Sequence, residues 1–282
     1  MTDSYYAQHG EDQLIEKIIK RLPPTLKPWC VEFGAWDGQH LSNTHYFIKH
    51  QEWHGVLIEG NALRFNDLKQ TYAQNPHCHL IQQYVGWAGE NALDSILAKT
   101  NIPLEFDVLS IDIDGNDYHV WEALKEYRPK LVVIEYNSSI PNDLVFIQEA
   151  NPQINQGNSL LALTQLAESK GYTLYHTTFC NAVYVRNDLM HYLPEAPSTN
   201  SILQKSYSKA PRLFQLYDGT LVLSEPFKFR WRKKEVNPYD LQIFPKEERV
   251  YGFTPSPKTK WVKFKNKILR HLIQRLNRLI SV

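Results

Sequence analysis

Phe106-Asp107-Val108-Leu109-Ser110-Ile111-Asp112 is an apolar run closed by an acid, and it leads straight into Ile113-Asp114-Gly115-Asn116-Asp117. A continuous apolar run of this length suits a strand covered on both faces. The same pattern recurs in Cys30-Val31-Glu32-Phe33-Gly34, Gly55-Val56-Leu57-Ile58-Glu59 and Leu131-Val132-Val133-Ile134-Glu135, with a weaker copy at His79-Leu80-Ile81. Between the runs lie helical patterns at roughly 42–50, 62–74, 90–99 and 117–127. Strand and helix in alternation predict βαβ units, and hence an α/β fold with a Rossmann-like, doubly wound, mostly parallel sheet.

Working outward, Glu11 to Leu22 carries Leu14, Ile15, Ile18, Ile19 and Leu22 at helical spacing and stops at Pro23-Pro24. A helix over 159–169 ends at Gly171. Tyr172-Thr173-Leu174-Tyr175 and Ala182-Val183-Tyr184-Val185 then predict an antiparallel pair that closes the sheet. Residues 190–257 are rich in Pro, Tyr and mixed charge, and offer one clear strand at Gly219-Thr220-Leu221-Val222-Leu223. The expected organisation is a domain over 1–224, an irregular segment over 225–257 and a C-terminal helix over 258–282.

The 282 residues are 43% hydrophobic and 22% charged, the balance of a soluble globular chain. Three scattered cysteines, Cys30, Cys78 and Cys180, form neither a disulfide framework nor a zinc pair, and suit a reducing, cytoplasmic setting. The first twelve residues lack the basic start and apolar run of a signal peptide, and no window is long and apolar enough to span a bilayer. The net charge of +1 conceals an asymmetry. Residues 258–282 hold eight Lys/Arg and no acid; the remaining 23 basic and 30 acidic residues leave the body at −7. On a helical wheel the tail's Ile268, Leu269, Leu272, Ile273, Leu276, Leu279 and Ile280 share one arc. Two fates are open for that stripe: docking on the protein's own body or a second copy, or lying on an anionic membrane surface. An acidic body without a recognition module argues against nucleic acid.

Ligands of an open parallel sheet sit beyond the strand ends. Strand one ends in Glu32-Phe33-Gly34-Ala35-Trp36-Asp37-Gly38, whose glycines permit a tight turn and close approach of a ligand. The diphosphate signature Gly-x-Gly-x-x-Gly is missing. Glu59 closes the second strand, where an acid accepts ribose hydroxyls. Adenosine without a diphosphate points to S-adenosylmethionine.

Glu32-x-Gly34-x-x-x-Gly38 resembles the first motif of class I S-adenosylmethionine-dependent methyltransferases, and Glu59 their ribose acid. Tyr6-Ala7-Gln8-His9-Gly10-Glu11-Asp12, Leu109-Ser110-Ile111-Asp112-Ile113-Asp114-Gly115, Asn181-Ala182-Val183-Tyr184-Val185-Arg186 and Leu216-Tyr217-Asp218-Gly219-Thr220 resemble segments of the FkbM-like branch, with Ala7 where the branch has serine. The resemblance spans roughly residues 5–224. It implies O-methylation of a saccharide or polyketide hydroxyl. Expected cofactor contacts are Glu32, Gly34, Ala35, Gly38, Glu59, Gly60 and Asp112. Asp112 and Asp114 are expected at the reaction cleft, one of them as a candidate cap of the helix starting near Asp117.

Two routes are open for the acceptor's proton. Asp112, Glu135 and Asn137 are hard oxygen donors at adjacent strand ends and could together hold Mg²⁺. The acid-to-asparagine spacing resembles the metal sites of small-molecule O-methyltransferases, with one extra residue between Glu135 and Asn137. Alternatively His119, after the Asp-rich turn, or His9, in the N-terminal element, serves as base. A competing reading from another class is a non-catalytic binding module recruited through the basic tail.

Overall fold

A computed structural model describes residues 5–195, 197–204, 211–228 and 234–249. The tail helix expected at 258–282 lies outside the described residues.

Seven strands form one sheet in the order β3-β2-β1-β4-β5-β7-β6. They are β1 (Trp29–Phe33), β2 (His54–Ile58), β3 (Cys78–Ile81), β4 (Val108–Ile111), β5 (Leu131–Glu135), β6 (Tyr172–Thr177) and β7 (Asn181–Arg186). The first five run parallel, and β7 joins β5 antiparallel. The doubly wound sheet with an antiparallel close is therefore present, each strand within three residues of its expected ends.

The apolar runs bury both faces because side chains alternate along a strand. On β1, Trp29, Val31 and Phe33 join one core, while Cys30 joins the other. The first core contains Leu93 and Ile96 of α4 (Leu93–Leu97), Val120 and Trp121 of α5 (Asp117–Ala123), and Leu163 of α6 (Leu160–Ser169). The second contains Ile15 and Ile18 of α1 (Glu11–Ile19), Phe47 of α2 (His45–His50) and Leu68 of α3 (Ala62–Thr71). Side-chain caps fix two helix starts. Asn61 accepts from the Leu63 and Arg64 N–H groups, and Ser159 from that of Ala162.

A polar bolt ties the amino ends of the central strands. Asp107, just before β4, is 2% exposed; it meets Lys130 Nζ at 3.0 Å and accepts from Thr25 Oγ1 at 2.6 Å and Trp29 N at 2.9 Å. The carboxyl ends fall into line by register: Phe33 pairs with Ile58 and with Ile111, Ile111 with Ile134, and Glu135 with Asn181. Glu59, Gly34, Asp112 and Glu135 thus follow one another along a single edge.

The chain divides into two compact units, 1–214 with 223–235, and 215–222 with 236–282. In the second, Gln242 clamps the Leu221 peptide, accepting its N–H and donating to its carbonyl, both at 2.8 Å. Gly219 turns at φ +86° beneath the Phe244 ring. The strand expected at 219–223 is found at Leu221–Leu223. No helix among the described residues is long and apolar enough to cross a membrane.

Candidate functional site

The strand order reverses between β1 and β4, and a crevice opens outside the strand ends at such a switch point. A cleft of about 620 Å³ lies there, within the span of small-molecule sites.

The first wall is the loop after β1. Gly34 has φ +74°, and a Cβ there would sit 1.8 Å from the Asp112 carbonyl oxygen, so only glycine lets the ends of β1 and β4 approach this closely. Ala35 N donates to Ile58 O at 3.2 Å. Glu32 is buried and shapes the rest of the loop. Its carboxylate accepts from Ser42 Oγ at 2.5 Å, Thr44 Oγ1 at 2.7 Å and Asn43 N at 2.9 Å. Burial raises its pKa, and these donors pull it back.

Glu59 closes β2 and bridges to this loop. One carboxylate oxygen accepts from Trp36 N at 2.9 Å, the other from Asn61 N at 2.6 Å. Each oxygen keeps lone-pair capacity, and the residue lines the cleft. Gly60 leaves room for the Tyr84 ring, which a Cβ would meet at 2.2 Å. Trp36, with the Arg64 guanidinium 4.5 Å from its ring centroid, and the exposed Tyr84 also line the cleft.

The opposite wall is acidic. The chain turns sharply after β4: Asp114 takes φ +58°, and Asp117 accepts from Ile113 N and Gly115 N, both at 2.8 Å. Asp117, rather than Asp112 or Asp114, therefore organises the start of α5. Asp112 and Asp114, two residues apart, stand on one side of this turn. Oxygens of Asp112, Asp114 and Glu135 lie within 4.8 Å of one another. Burial raises the pKa of both Asp112 and Glu135; Asp117, Asp114 and Glu32 raise that of Asp112 further, and Asp112, Asp117 and Asp114 that of Glu135.

The N-terminal element forms a strap. Asp12 accepts from the Tyr6 and Ala7 N–H groups, and Ala7 bridges to Leu41 of the β1 loop. Glu11, fully buried, accepts from Thr178 Oγ1 at 2.5 Å and Asn181 Nδ2 at 3.1 Å. Gln8 thereby lines the cleft. Asn181 lines it too, and its buried Oδ1 has no hydrogen-bond partner. Pro152 and Asn155 come from the loop after β5. Gln148 holds that loop: it accepts from Gln156 N and Gly157 N and donates to Ile154 O.

Of the expected residues, the cleft gathers Glu32, Gly34, Ala35, Glu59, Gly60, Asp112, Asp114 and Glu135. Three stand elsewhere. Gly38 packs under Leu68 and Tyr72, which a Cβ would meet at 2.4 and 2.5 Å. His119 turns away and donates from Nε2 to Gln148 O at 2.6 Å. Asn137 lines a neighbouring cavity with Asp114 and Glu135, and its amide is tied to its own loop: Nδ2 donates to Gln156 O and Oδ1 accepts from Ser139 N. His9 packs against Phe179, with ring centroids 5.2 Å apart, and is not part of the cleft lining. The sequence reading missed Gln8 and Asn181 as cleft residues, although both lie in segments singled out for their resemblance. It also missed Tyr84 and Asn155, which sit in loops without periodicity.

No family model matches the chain, and no curated protein matches it. Among solved structures it is similar to M. capricolum TrmK in complex with S-adenosyl-homocysteine, with 13% identity and a TM-score of 0.40 over 62% of this chain and 68% of that one. It is similar to a putative caffeoyl-CoA O-methyltransferase from Staphylococcus aureus, with 17% identity and a TM-score of 0.42 over 62% and 82%. It is also similar to the citrinin polyketide synthase CMeT domain, with 10% identity and a TM-score of 0.42 over 62%. The chain spans about half of that last structure, 51% of its length, and a quarter, 25%, of PKMT2 from Rickettsia typhi.

Proposed function

We propose that the protein is an S-adenosylmethionine-dependent methyltransferase that methylates a hydroxyl of a saccharide or glycoconjugate. The observation that carries this reading is the pairing of Glu59 with the Gly34 turn at the switch point, facing an acidic wall. Five carboxylates line the cleft, at Glu32, Glu59, Asp112, Asp114 and Glu135. They would repel a diphosphate and favour a cationic sulfonium. Glu59 would hold the ribose hydroxyls, while Gly34 and Ala35 admit the ligand to the backbone. Gly60 and Tyr84 would flank the adenine. The bound cofactor supplies a methyl group on a positively charged sulfur that departs as a neutral thioether.

Asp112, Asp114 and Glu135 are placed to orient the acceptor hydroxyl and take its proton. The same three oxygens fit the donor chemistry of Mg²⁺, with Asn181 Oδ1 a further unpartnered oxygen in the cleft. An ion held there would lower the pKa of the acceptor hydroxyl. The tail at 258–282 belongs to this reading as an anchor to surfaces bearing lipid-linked acceptors. Loss of flotation with anionic vesicles on truncation to 1–257 is its expected signature.

Calorimetry with S-adenosylmethionine tests the assignment. The full chain is expected to bind, and Glu59→Gln to weaken binding about 10- to 100-fold, the worth of hydrogen bonds to a charged group. A folded protein that binds neither the cofactor nor its demethylated product is not a methyltransferase.

A further inference from the structure

Beside the acidic wall the cleft adjoins a second cavity of about 470 Å³. The two share Gln8, Asp114, Glu135 and Asn155, so one ligand can occupy both. The lining of the second cavity also includes a cation. Arg212 lies over the Phe179 ring, with its guanidinium carbon 4.6 Å from the centroid. Its Nη1 donates to Ser138 Oγ at 3.0 Å and Ser139 Oγ at 3.5 Å. Among the described residues it makes no salt bridge. A guanidinium has five donors in a planar fork, and hydroxyl partners leave its charge uncompensated. Gln156 lines the same cavity, and its buried Oε1 has no partner, so it calls for a donor such as a hydroxyl. Cys180 also lines it; burial, then Glu135, Glu11 and Asp112, push its thiol up to about 12, which keeps this part of the wall neutral.

We propose that this cavity seats an anionic group of the saccharide acceptor, a carboxylate or a phosphate, with Arg212 as its recognition residue. The proposal rests on the hydroxyl-methylation reading and deepens it. Asp114 and Glu135 repel an anion and attract a hydroxyl, while Arg212 does the reverse. Opposite preferences within one continuous cavity let the acceptor enter one way round, with its anionic group at Arg212 and a hydroxyl at the carboxylates.

The test is calorimetry on the full chain with saturating S-adenosylhomocysteine, using methyl glucuronide, glucose 6-phosphate and methyl glucoside as probes. At least one anionic sugar is expected to bind about tenfold or more tightly than the neutral one, the worth of a charge-assisted bidentate contact. The stronger of the two anionic probes names the group. Arg212→Gln is expected to erase the preference, and Arg212→Lys to retain part of it. Equal binding of all three sugars, binding of none, or an unchanged preference in Arg212→Gln overturns the proposal. Titration with S-adenosylhomocysteine alone separates the two layers. If the cofactor product fails to bind, the methyl-transfer reading falls, and the sugar preference, measured without it, still decides the anionic subsite.

Discussion

Acid should loosen the protein through one buried histidine. His45 opens α2 and is only 2% exposed. The Tyr72 hydroxyl donates to Gly38 O at 2.8 Å, so its oxygen accepts from His45 Nδ1 at 2.7 Å. The proton of the neutral ring is therefore on Nδ1, and Nε2 is buried without a partner. Protonating Nε2 would bury an unsatisfied charged donor. Burial, then Lys49 and His50, lower the pKa from 6.5 to about 4, against the pull of the Gly38 carbonyl and Asp37; the Tyr6 ring edge packs on the other side. With the folded value below the unfolded one, the unfolded chain binds more protons between the two. Stability is full above about pH 6.5 and is lost as the pH falls toward 4. Between pH 7 and pH 5 the linkage relation gives about 2 kcal/mol. Screening through the exposed Lys49 side trims this to about 1–2 kcal/mol. His45→Asn keeps a donor in the Nδ1 position and removes the titration. Urea unfolding at both pH values is expected to show the wild type losing about 1–2 kcal/mol more than the variant. Equal losses would refute the assignment of the proton to Nδ1 and of the acid sensitivity to this ring.

Gly34→Ala drives a methyl group into the Asp112 carbonyl and is expected to cost more than about 2 kcal/mol and to weaken cofactor binding together. An unchanged melting temperature would mean that β1 and β4 do not approach this closely. Lys130→Met strands the buried Asp107 charge and is expected to cost about 3–5 kcal/mol, recovered in part by adding Asp107→Asn. Because this pair sits at the opposite strand ends, the folded variant should bind cofactor with wild-type affinity in calorimetry. EDTA is expected to reduce methyl transfer, measured with labelled cofactor, and added Mg²⁺ to restore it; full activity after chelation excludes the ion.

The strands were legible because burial on two faces demands uninterrupted apolar residues, and Cys30 to Phe33 or Leu131 to Ile134 show that directly. The edge residues followed, since a strand's end fixes what stands beyond it. Errors arose where the backbone leaves the strand. Asp112 and Asp114 have the i, i+2 spacing that puts strand side chains on one face, but Asp114 already stands in a left-handed turn, so its place beside Asp112 and Glu135 is set by the loop rather than by the strand pattern. The hydrogen bonds that tie the Asn137 amide to its own loop are a partnership that composition cannot reveal. Arg212 had no sequence signal at all, because its partners at 138, 139 and 179 meet only in three dimensions.

The strap has a consequence for how the molecule is made. Two groups that donate to the buried Glu11 carboxylate, Thr178 and Asn181, emerge from the ribosome 167 and 170 residues after it. Until then a carboxylate destined for complete burial has to stay in water, so α1 cannot settle in its final place during most of synthesis. The latch closes only when β7 enters the sheet. Closure of the ligand pocket is thus a late event in folding, and competence to bind reports that the whole sheet has been assembled.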